Sequence, residues 1–286
     1  MITKEPNGVL LIDFSALSYA AAFAGGIDNT LDPGFLRHLI LNCILGARKK
    51  FKGYETVLCI DARDYWRKEI FPYYKAHRAK ARAESDFDWS KFFSQRNEIL
   101  NEIKHVFPYK IIEVPTAEAD DIIGVLALEA TVPTVVYAED GDFHQCARNP
   151  NVRLYSPIKK KFKPDLTAWE IEEFLFNKIC GGDSGDGIPN ILSPGNSIFD
   201  KIRQKQLRVK KINTYYEQGV PEALSGRWEE NKNLIDLRCI PDDLKQIIRD
   251  EYAKPALGSN GKIWSYLTSK ELLAISNRFI AEINDF

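Results

Sequence analysis

The sequence predicts an α/β fold with a central, mostly parallel sheet flanked by helices, followed by a mostly helical C-terminal part. Short apolar runs end in an acidic residue three times, as VLLID (9–13), VLCID (57–61) and VVYAED (135–140). Continuous apolar runs are typical of strands that are buried on both faces, as in parallel sheets. Amphipathic stretches separate these runs, and the alternation of strands with helices indicates right-handed crossovers.

The same periodicities predict the other elements. KIIEV (110–114) and VRLYS (152–156) are further strand candidates. Apolar residues at helical spacing predict helices at 35–50, 95–106, 118–130, 167–180, 200–217 and 241–252. GGDSGDGIPN (181–190) and LSPGNS (192–197) are rich in turn residues. GKIWSYL (261–267) fits either a helix or a short strand.

The strand runs stop before about residue 165, so we expect residues 1–165 to form an α/β core and residues 166–286 to form the helical part. Composition is that of a globular protein, with 44% hydrophobic and 28% charged residues. The five cysteines are widely spaced and include no CxxC pair, which predicts neither a disulfide framework nor a zinc site. With no leader and no apolar run of bilayer length, the sequence favours a cytoplasmic protein without membrane contact. We further expect a monomer.

The net charge of −1 conceals an uneven distribution. Residues 63–82 contain seven basic and two acidic residues, and residues 201–211 contain six basic residues and no acidic one. Within the first segment, YWRKEIFPYYKAHRAKAR (65–82) interleaves aromatic and basic residues. Cations contact phosphates and aromatic faces stack on unpaired bases, so this segment predicts binding of single-stranded nucleic acid. The alternative is a solvated helix with a buried aromatic stripe.

The predicted fold gathers carboxylates at one edge of the sheet. Three of them close strand runs, one follows the flexible Gly141, and three begin the helix after KIIEV. They are Asp13, Asp61, Glu118, Asp120, Asp121, Asp140 and Asp142. Ligands of parallel sheets bind where the carboxyl ends of the strands meet, so we expect these side chains in one cleft.

Taken singly, each of these residues is as well explained by a loop cap or a helix start. Together they cannot all stay ionised without cations, and the set therefore predicts a metal site. All-oxygen ligation favours Mg²⁺ or Mn²⁺ over zinc. Two such ions about 3.5–4 Å apart can activate water and stabilise the leaving oxygen of a phosphodiester.

In combination the motifs resemble the structure-specific 5′ nuclease family, which includes the flap endonucleases, and most closely its ribonuclease H group from T-even bacteriophages. The resemblance runs from LLIDFS (10–15) to INDF (283–286). Its motifs, in order, are LIDFS, VLCID, YWR, YYKAHRAKAR, AEADD, DGDF, NVRLYSP and GDSGDGIPN. It implies a PIN-like nuclease core, a basic helical arch at about 63–90, and a helix-turn-helix-like DNA-binding region in the C-terminal part.

The resemblance also implies roles for individual residues. A first metal ion would be held by Asp13, Asp61, Asp120 and Asp140, with Glu118 in support. A second would be bounded by Asp142, Asp183 and Asp186, and Asp121 would be an outer member of the set. Lys75 and Arg78 would contact the scissile phosphate as electrophilic helpers. Further nucleic-acid contacts are expected at Arg67, Tyr74, Arg82, Lys201 and Lys205.

The implied activity is that of a nuclease with two Mg²⁺ ions, for which Mn²⁺ can substitute, that removes RNA primers during lagging-strand replication. It would act as a 5′ to 3′ exonuclease and flap endonuclease on DNA and RNA–DNA hybrids with free 5′ ends. A single-stranded DNA-binding protein or a sliding clamp is the implied partner, and the host cytoplasm the location if the chain is phage-encoded. Two alternatives stay open: a non-catalytic DNA-binding replication protein and a PIN-type ribonuclease. A phosphatase is disfavoured because Ser15 stands where its second acid would be.

Overall fold

The computed structural model describes residues 5–24, 32–193, 206–272, 274–276 and 279. Its strands are β1 (Gly8–Asp13), β2 (Tyr54–Ile60), β3 (Lys110–Glu113), β4 (Thr134–Tyr137), β5 (Val152–Ser156) and β6 (Lys161–Phe162). Its α-helices are α1 (Phe14–Ala24), α2 (Pro33–Lys50), α3 (Arg67–Ile70), α4 (Ala76–Ala83), α5 (Trp89–Val106), α6 (Ala119–Leu128), α7 (Ala168–Gly181), α8 (Val209–Gln218), α9 (Glu222–Ile235), α10 (Asp242–Ala253) and α11 (Asn260–Ser269). Two 3₁₀ helices span Asp142–Arg148 and Leu237–Cys239.

The six strands form one sheet in the order β3-β2-β1-β4-β5-β6. All neighbours are parallel except β5 and β6, so five strands end at the same edge. In register, Ile12 of β1 lies beside Leu58 of β2 and Tyr137 of β4. The predicted α/β fold with a mostly parallel sheet is confirmed.

All five predicted strands are present, and only the two-residue β6, too short to show a period, was not anticipated. The strand predicted at VVYAED is shorter than expected. It ends at Tyr137, and Asp140 lies three residues beyond it. Beyond the end of the strand, the carboxylate of Glu139 accepts hydrogen bonds from Ser156 Oγ and Ile158 N, at 2.5 and 2.8 Å. The ambiguous segment 261–267 is helical, within α11.

In the C-terminal part, the predicted helix at 200–217 begins only at Val209 in the described chain, and residues 200–205 lie outside the described residues. Most of the turn-rich segment 192–197 also lies outside them. The helix-turn-helix-like region therefore stays a prediction, as does the division at residue 165. None of the helices in the described ranges is both long and apolar enough to cross a bilayer.

Two apolar cores lie on opposite faces of the sheet, as the alternation of side chains along a strand requires. Leu10 and Ile12 of β1 face a core with α1, α2 and α5, whereas Val9 and Leu11 face a core with α6. The C-terminal helices complete both layers. α10 adds Leu244 and Ile248 to the α6 side, and α11 adds Ile263 and Leu267 to the other.

A partly buried ion-pair network ties α11 to α2 and α5. Glu102 of α5 accepts hydrogen bonds from Arg37 Nε at 2.7 Å and Tyr266 Oη at 2.7 Å, and Lys270 Nζ lies 2.5 Å from it. The Arg37 side chain is only 7% exposed and Glu102 15%. Removal of one member of a shielded pair leaves the other desolvated and unpaired. We therefore expect Glu102 to contribute strongly to the stability of the packing between α2, α5 and α11.

We predict that Glu102→Gln lowers the free energy of unfolding at neutral pH by about 2–3 kcal/mol, the loss expected for hydrogen bonds to a charged group. Glu98→Gln is the matched control. Glu98 sits on the same helix, is 62% exposed and lies 3.5 Å from Arg37, so its loss should cost less than about 0.5 kcal/mol. Urea denaturation followed by tryptophan fluorescence measures both, and equal effects would contradict the assignment.

The effect of Glu102→Gln should depend on pH. Burial raises the pKa of Glu102, but hydrogen bonds from Arg37, Lys270 and Tyr266 outweigh it and hold the pKa below its ordinary value. The stability that wild type gains from the carboxylate is therefore full above the ordinary glutamate pKa of about 4.3 and is lost as the pH falls through the lower folded-state pKa. A difference between the two proteins that persists unchanged into strong acid would refute this account.

Candidate active site

A cleft of about 760 Å³ opens at the edge where the parallel strands end. Its acidic lining is seven aspartates, namely Asp13, Asp61, Asp120, Asp140, Asp142, Asp183 and Asp186. Its basic lining is six side chains, namely Arg63, Lys68, Lys75, Arg78, Arg82 and Lys178. The structure thus brings together all seven aspartates that the sequence singled out as metal ligands, and it places the cations of the arch among them.

Three of these aspartates are each held by a backbone N–H that donates to one carboxylate oxygen. Oδ1 of Asp13 accepts from Ala16 N at 2.9 Å, which caps α1. Oδ1 of Asp61 accepts from Ala119 N at 2.8 Å, which joins the end of β2 to the start of α6. Asp140 Oδ1 accepts in the same way from the backbone N–H two residues later, at 2.9 Å. Each side chain is thereby held at the cleft while its second oxygen is not used in these caps.

Asp183 and Asp186 lie in a tight loop after α7. Backbone bonds in both directions between Asp183 and Ile188, at 2.9 and 2.7 Å, close the loop. Gly182 begins it with φ +71°, and a Cβ at that position would lie 2.4 Å from Ile188 O. Asn231 of α9, which the sequence did not single out, donates to Ile179 O and Pro189 O at 2.9 Å each and so holds both ends of the loop.

Glu118 and Asp121 lie behind the cleft at the start of α6. Asp121 Oδ2 accepts from Glu118 N at 2.9 Å and from Trp66 Nε1 at 3.1 Å. Arg67 pairs with both carboxylates, with Nη1 2.9 Å from Glu118 Oε2 and Nη2 2.7 Å from Asp121 Oδ1. Its Nε also donates to Leu234 O of α9 at 2.8 Å. This buried network fixes the base of the arch to α6 and to α9 of the helical part.

Two side chains of the arch, those of Lys75 and Arg78, reach the cleft. Lys75 directly precedes α4, and Arg78 lies within it. The Lys75 ammonium contacts Glu118 Oε1 and lies 3.4 Å from Asp186 Oδ1, and its side chain is only 10% exposed. The backbone N–H of Lys75 donates to Asp186 O at 2.8 Å. Arg78 donates to Gly185 O at 3.0 Å and to Asp186 Oδ1 at 2.9 Å. The arch is thus docked on the loop that follows α7.

Lys178 is a site residue that the sequence analysis missed. Its ammonium contacts Asp142 and lies 2.8 Å from Asp183 Oδ2. Burial raises the pKa of Asp183, but the charge and hydrogen bond of Lys178 and the N–H groups of Gly185 and Asp186 bring the pKa below its ordinary value. The only sequence signal was that Lys178 is the one basic residue of α7.

The aspartates at the strand ends are electrostatically strained. Burial and the nearby charge of Asp61 raise the pKa of Asp13 to about 7. Burial also raises the pKa of Asp120 well above its ordinary value, and Asp13, Glu118 and Asp61 raise it further against the opposing charge of Lys75. Ionisation of such a set is favoured by a bound cation, and the all-oxygen donors suit a hard divalent ion. The donor chemistry therefore fits Mg²⁺ or Mn²⁺.

As placed, the side chains are not a finished metal site. Among the described residues, no three His, Cys, Asp or Glu side chains stand in an arrangement that could hold an ion without adjustment. Lysines lie between several of the carboxylates instead, at Glu118 and Asp186 and at Asp142 and Asp183. Binding of an ion to Asp142, Asp183 or Asp186 would require these ammonium groups to give way.

Two predicted nucleic-acid contacts are wrong in this structure. Arg67 is only 3% exposed and is consumed by Glu118, Asp121 and Leu234, so its guanidinium cannot reach a phosphate. Tyr74 is 2% exposed, and its hydroxyl lies 2.8 Å from Glu118 Oε2 and 2.9 Å from Asp186 Oδ2, so its ring has no free face for a base.

The alternative reading of the arch, a buried aromatic stripe, accounts for Trp66, Phe71 and Tyr74, which all lie in the apolar interior. Arg82 lines the cleft, and its contact with nucleic acid stays a prediction. Lys201 and Lys205 lie outside the described residues, and their assignment stays a prediction.

Comparison with known proteins decides the family. The family described as 5′-3′ exonuclease, N-terminal resolvase-like domain matches residues 8–174, and the family described as T4 RNase H, C terminal matches residues 170–286. The chain belongs to the 5′-3′ exonuclease family. Ribonuclease H of Enterobacteria phage T4 is 33% identical over 298 residues, which cover 98% of this chain and 96% of that protein. A 5′-3′ exonuclease of Streptomyces coelicolor is 26% identical over 68% of this chain and 70% of its own length.

Two solved structures share the fold at low sequence identity. The D15 flap endonuclease of bacteriophage T5, in a pseudo-enzyme-product complex with DNA and metal ions, superposes with a TM-score of 0.64 at 15% identity over 86% of this chain and 98% of its own. The T5 D15 protein co-crystallised with metal ions gives a TM-score of 0.62 at 15% identity, over 86% of this chain and all of that one.

We predict that Arg67→Met acts on stability and not on nucleic-acid contact in this nuclease family member. Glu118 and Asp121 would keep buried charges without their partner, so the free energy of unfolding should fall by about 3–5 kcal/mol. Arg63→Met is the control, because Arg63 is exposed in the same cleft and its loss should cost less than about 0.5 kcal/mol. If Arg67→Met instead unfolds like wild type and only weakens DNA binding, the buried role is refuted.

Proposed function

We propose that the chain is a divalent-metal-dependent 5′ to 3′ exonuclease and flap endonuclease that hydrolyses phosphodiester bonds in RNA–DNA hybrids and duplex DNA. The observation that carries this proposal is the cleft in which seven aspartates face Lys75, Arg78 and Arg82. The aspartates suit divalent ions, and the arch cations suit a phosphate backbone. Membership of the 5′-3′ exonuclease family supports the reaction class.

The proposed ions are two Mg²⁺, with Mn²⁺ as a substitute. Asp13, Asp61, Asp120 and Asp140 would hold the first, and Asp142, Asp183 and Asp186 the second. When bound, such ions supply Lewis-acid activation of water and of the phosphoryl oxygens. The backbone caps on Asp13, Asp61 and Asp140 keep the carboxylates in place, so that little reorganisation is needed for an ion to bind.

Glu118 and Asp121 have supporting roles. Glu118 holds the Lys75 ammonium, and Asp121 fixes Arg67 and Trp66 behind it. Through these contacts the two carboxylates set the position of the arch over the cleft. We propose that neither binds metal directly in the arrangement described.

Lys75 and Arg78 are proposed to contact the scissile phosphate. Burial lowers the pKa of Lys75, but Asp186 and Glu118 raise it by more, so the side chain is an ammonium at neutral pH and suits an electrophilic role, not that of a base. The Arg78 guanidinium is 45% exposed and already faces the cleft. Both cations can exchange Asp186 for a phosphate oxygen without movement of the sheet.

The proposed biological role is removal of RNA primers and adjoining DNA from free 5′ ends during lagging-strand replication. The protein would act as a monomer in the cytoplasm, with a single-stranded DNA-binding protein or a sliding clamp as partner. A non-catalytic DNA-binding protein is a poorer fit, because seven aspartates at the bottom of the groove repel phosphates unless cations neutralise them. The extensive helical part also distinguishes the chain from a compact PIN-type ribonuclease.

We predict that Asp140→Asn reduces cleavage at least about 100-fold while DNA binding is kept, since the change removes one charge from the proposed metal ligands. The amide oxygen can still accept from Asp142 N, so the loop should stay folded. Asp165→Asn is the control, because Asp165 is 88% exposed and pairs only weakly with Arg153. The assay is digestion of 5′-labelled flap, nicked and hybrid duplexes with Mg²⁺ or with EDTA. Products that form equally in EDTA, or with Asp140→Asn, would overturn the proposed function.

We predict that Lys75→Ala slows single-turnover cleavage by about 10²–10³-fold, the range seen when one electrostatic donor to a transition state is removed. DNA affinity should fall by less than about tenfold, because one phosphate contact among many is lost. Lys80→Ala is the control: Lys80 lies on α4 but is 69% exposed and pairs only with Glu84, so its cleavage rate should stay near wild type. A Lys75→Ala protein that cuts at the normal rate would exclude the arch assignment.

A further inference from the structure

The carboxylates assigned to the two proposed ions differ in their partners. Among the described residues, no Lys or Arg forms an ion pair with Asp13, Asp61, Asp120 or Asp140 within 4 Å. The other three aspartates are all paired: Asp186 with Lys75 and Arg78, and Asp142 and Asp183 with Lys178. The cleft therefore has a half that lacks ion pairs and a half whose charge is already compensated from within the protein.

Lys178 bridges two segments of the compensated half. It joins Asp142, at the start of a 3₁₀ helix, to Asp183, 2.8 Å away in the loop after α7. The three side chains are between 18% and 20% exposed, so water screens these pairs only in part.

The backbone that carries Lys178 is rigidly packed. Ile179 and Cys180, which follow it, are 3% and 0% exposed. The Asn231 amide fixes Ile179 O and Pro189 O on either side of the loop. Withdrawal of the ammonium is therefore a rotation of a long, flexible side chain and requires no shift of α7.

An ammonium group and a divalent ion cannot share the same carboxylate oxygens, because the ion needs those oxygens as ligands and the two cations repel. We propose that Lys178 is an internal counter-ion that competes with the second divalent ion for Asp142 and Asp183 and thereby lowers that ion's affinity. The inference rests on the proposed function in that it takes these two aspartates as ligands of the second ion. The first ion, at the carboxylates without ion pairs, meets no such competitor and binds more tightly.

The test measures binding of Mn²⁺ to the full chain without DNA, by electron paramagnetic resonance of free Mn²⁺ and by calorimetry. Wild type should show one tight and one weak site. In Lys178→Met, which keeps the length of the side chain and removes the charge, the weak site should tighten at least about tenfold. Lys178→Arg keeps the charge and should keep the weak site.

Lys68→Met is the matched control, since Lys68 lines the same cleft but pairs with Asp64. It should leave both affinities within about twofold. An unchanged or weaker second site in Lys178→Met would overturn the inference, as would equal tightening in Lys68→Met, because the effect would then be that of the general field.

Thermal unfolding provides a second readout that does not depend on activity. Without its lysine, the pair Asp142 and Asp183 is uncompensated, so Lys178→Met should unfold at a lower temperature than wild type in EDTA and gain more from Mn²⁺. An equal gain in both proteins would count against the inference. Absence of any Mn²⁺ binding to wild type would instead remove the metal dependence of the proposed function, whereas two sites of unchanged affinity in Lys178→Met would remove only the competition.

Discussion

Repulsion among seven aspartates at one edge of a parallel sheet is the constraint on which the rest of this structure depends. Burial and the neighbouring charge of Asp61 raise the pKa of Asp13 to about 7, so ionisation of Asp13 is unfavourable at this edge. Six basic side chains line the same cleft and partly compensate this negative charge. Some come from the arch and one from α7, so the docking of two separate segments onto the sheet is coupled to the charge of the site.

The sequence alone gives two competing explanations for each aspartate at the end of a strand, a helix or loop cap and a metal ligand. An aspartate after a strand is commonly a cap, and an aspartate in an acidic cluster is commonly a metal ligand. In Asp13 and Asp61, Oδ1 caps a helix and the second oxygen is not used in the cap, so the cap is compatible with the proposed role as a metal ligand. The caps also supply the rigidity that a preorganised site requires.

The arch combines a fixed base with an exposed face. Arg67 joins the arch to α6 and, through Leu234 O, to α9, and this buried network leaves Tyr74 with no accessible ring face. Burial of the aromatic residues therefore stabilises the position of the arch. Lys75, Arg78 and Arg82 are the arch side chains for which nucleic-acid contact is proposed, and all three line the cleft.

By itself the sequence determined the five parallel strands, most of the helices and the aspartates of the cleft, since apolar periodicity and the position of an acid after a strand are local properties. It missed Lys178 and misassigned Arg67 and Tyr74. Lys178 meets a carboxylate 36 residues away, and Arg67 a carbonyl 167 residues away. Such pairings, and the burial that distinguishes a structural cation from one available to a phosphate, depend on which helix packs beside which loop. Only the tertiary structure decided them, because the energy of a charge is set by its surroundings in space and not by its neighbours in the chain.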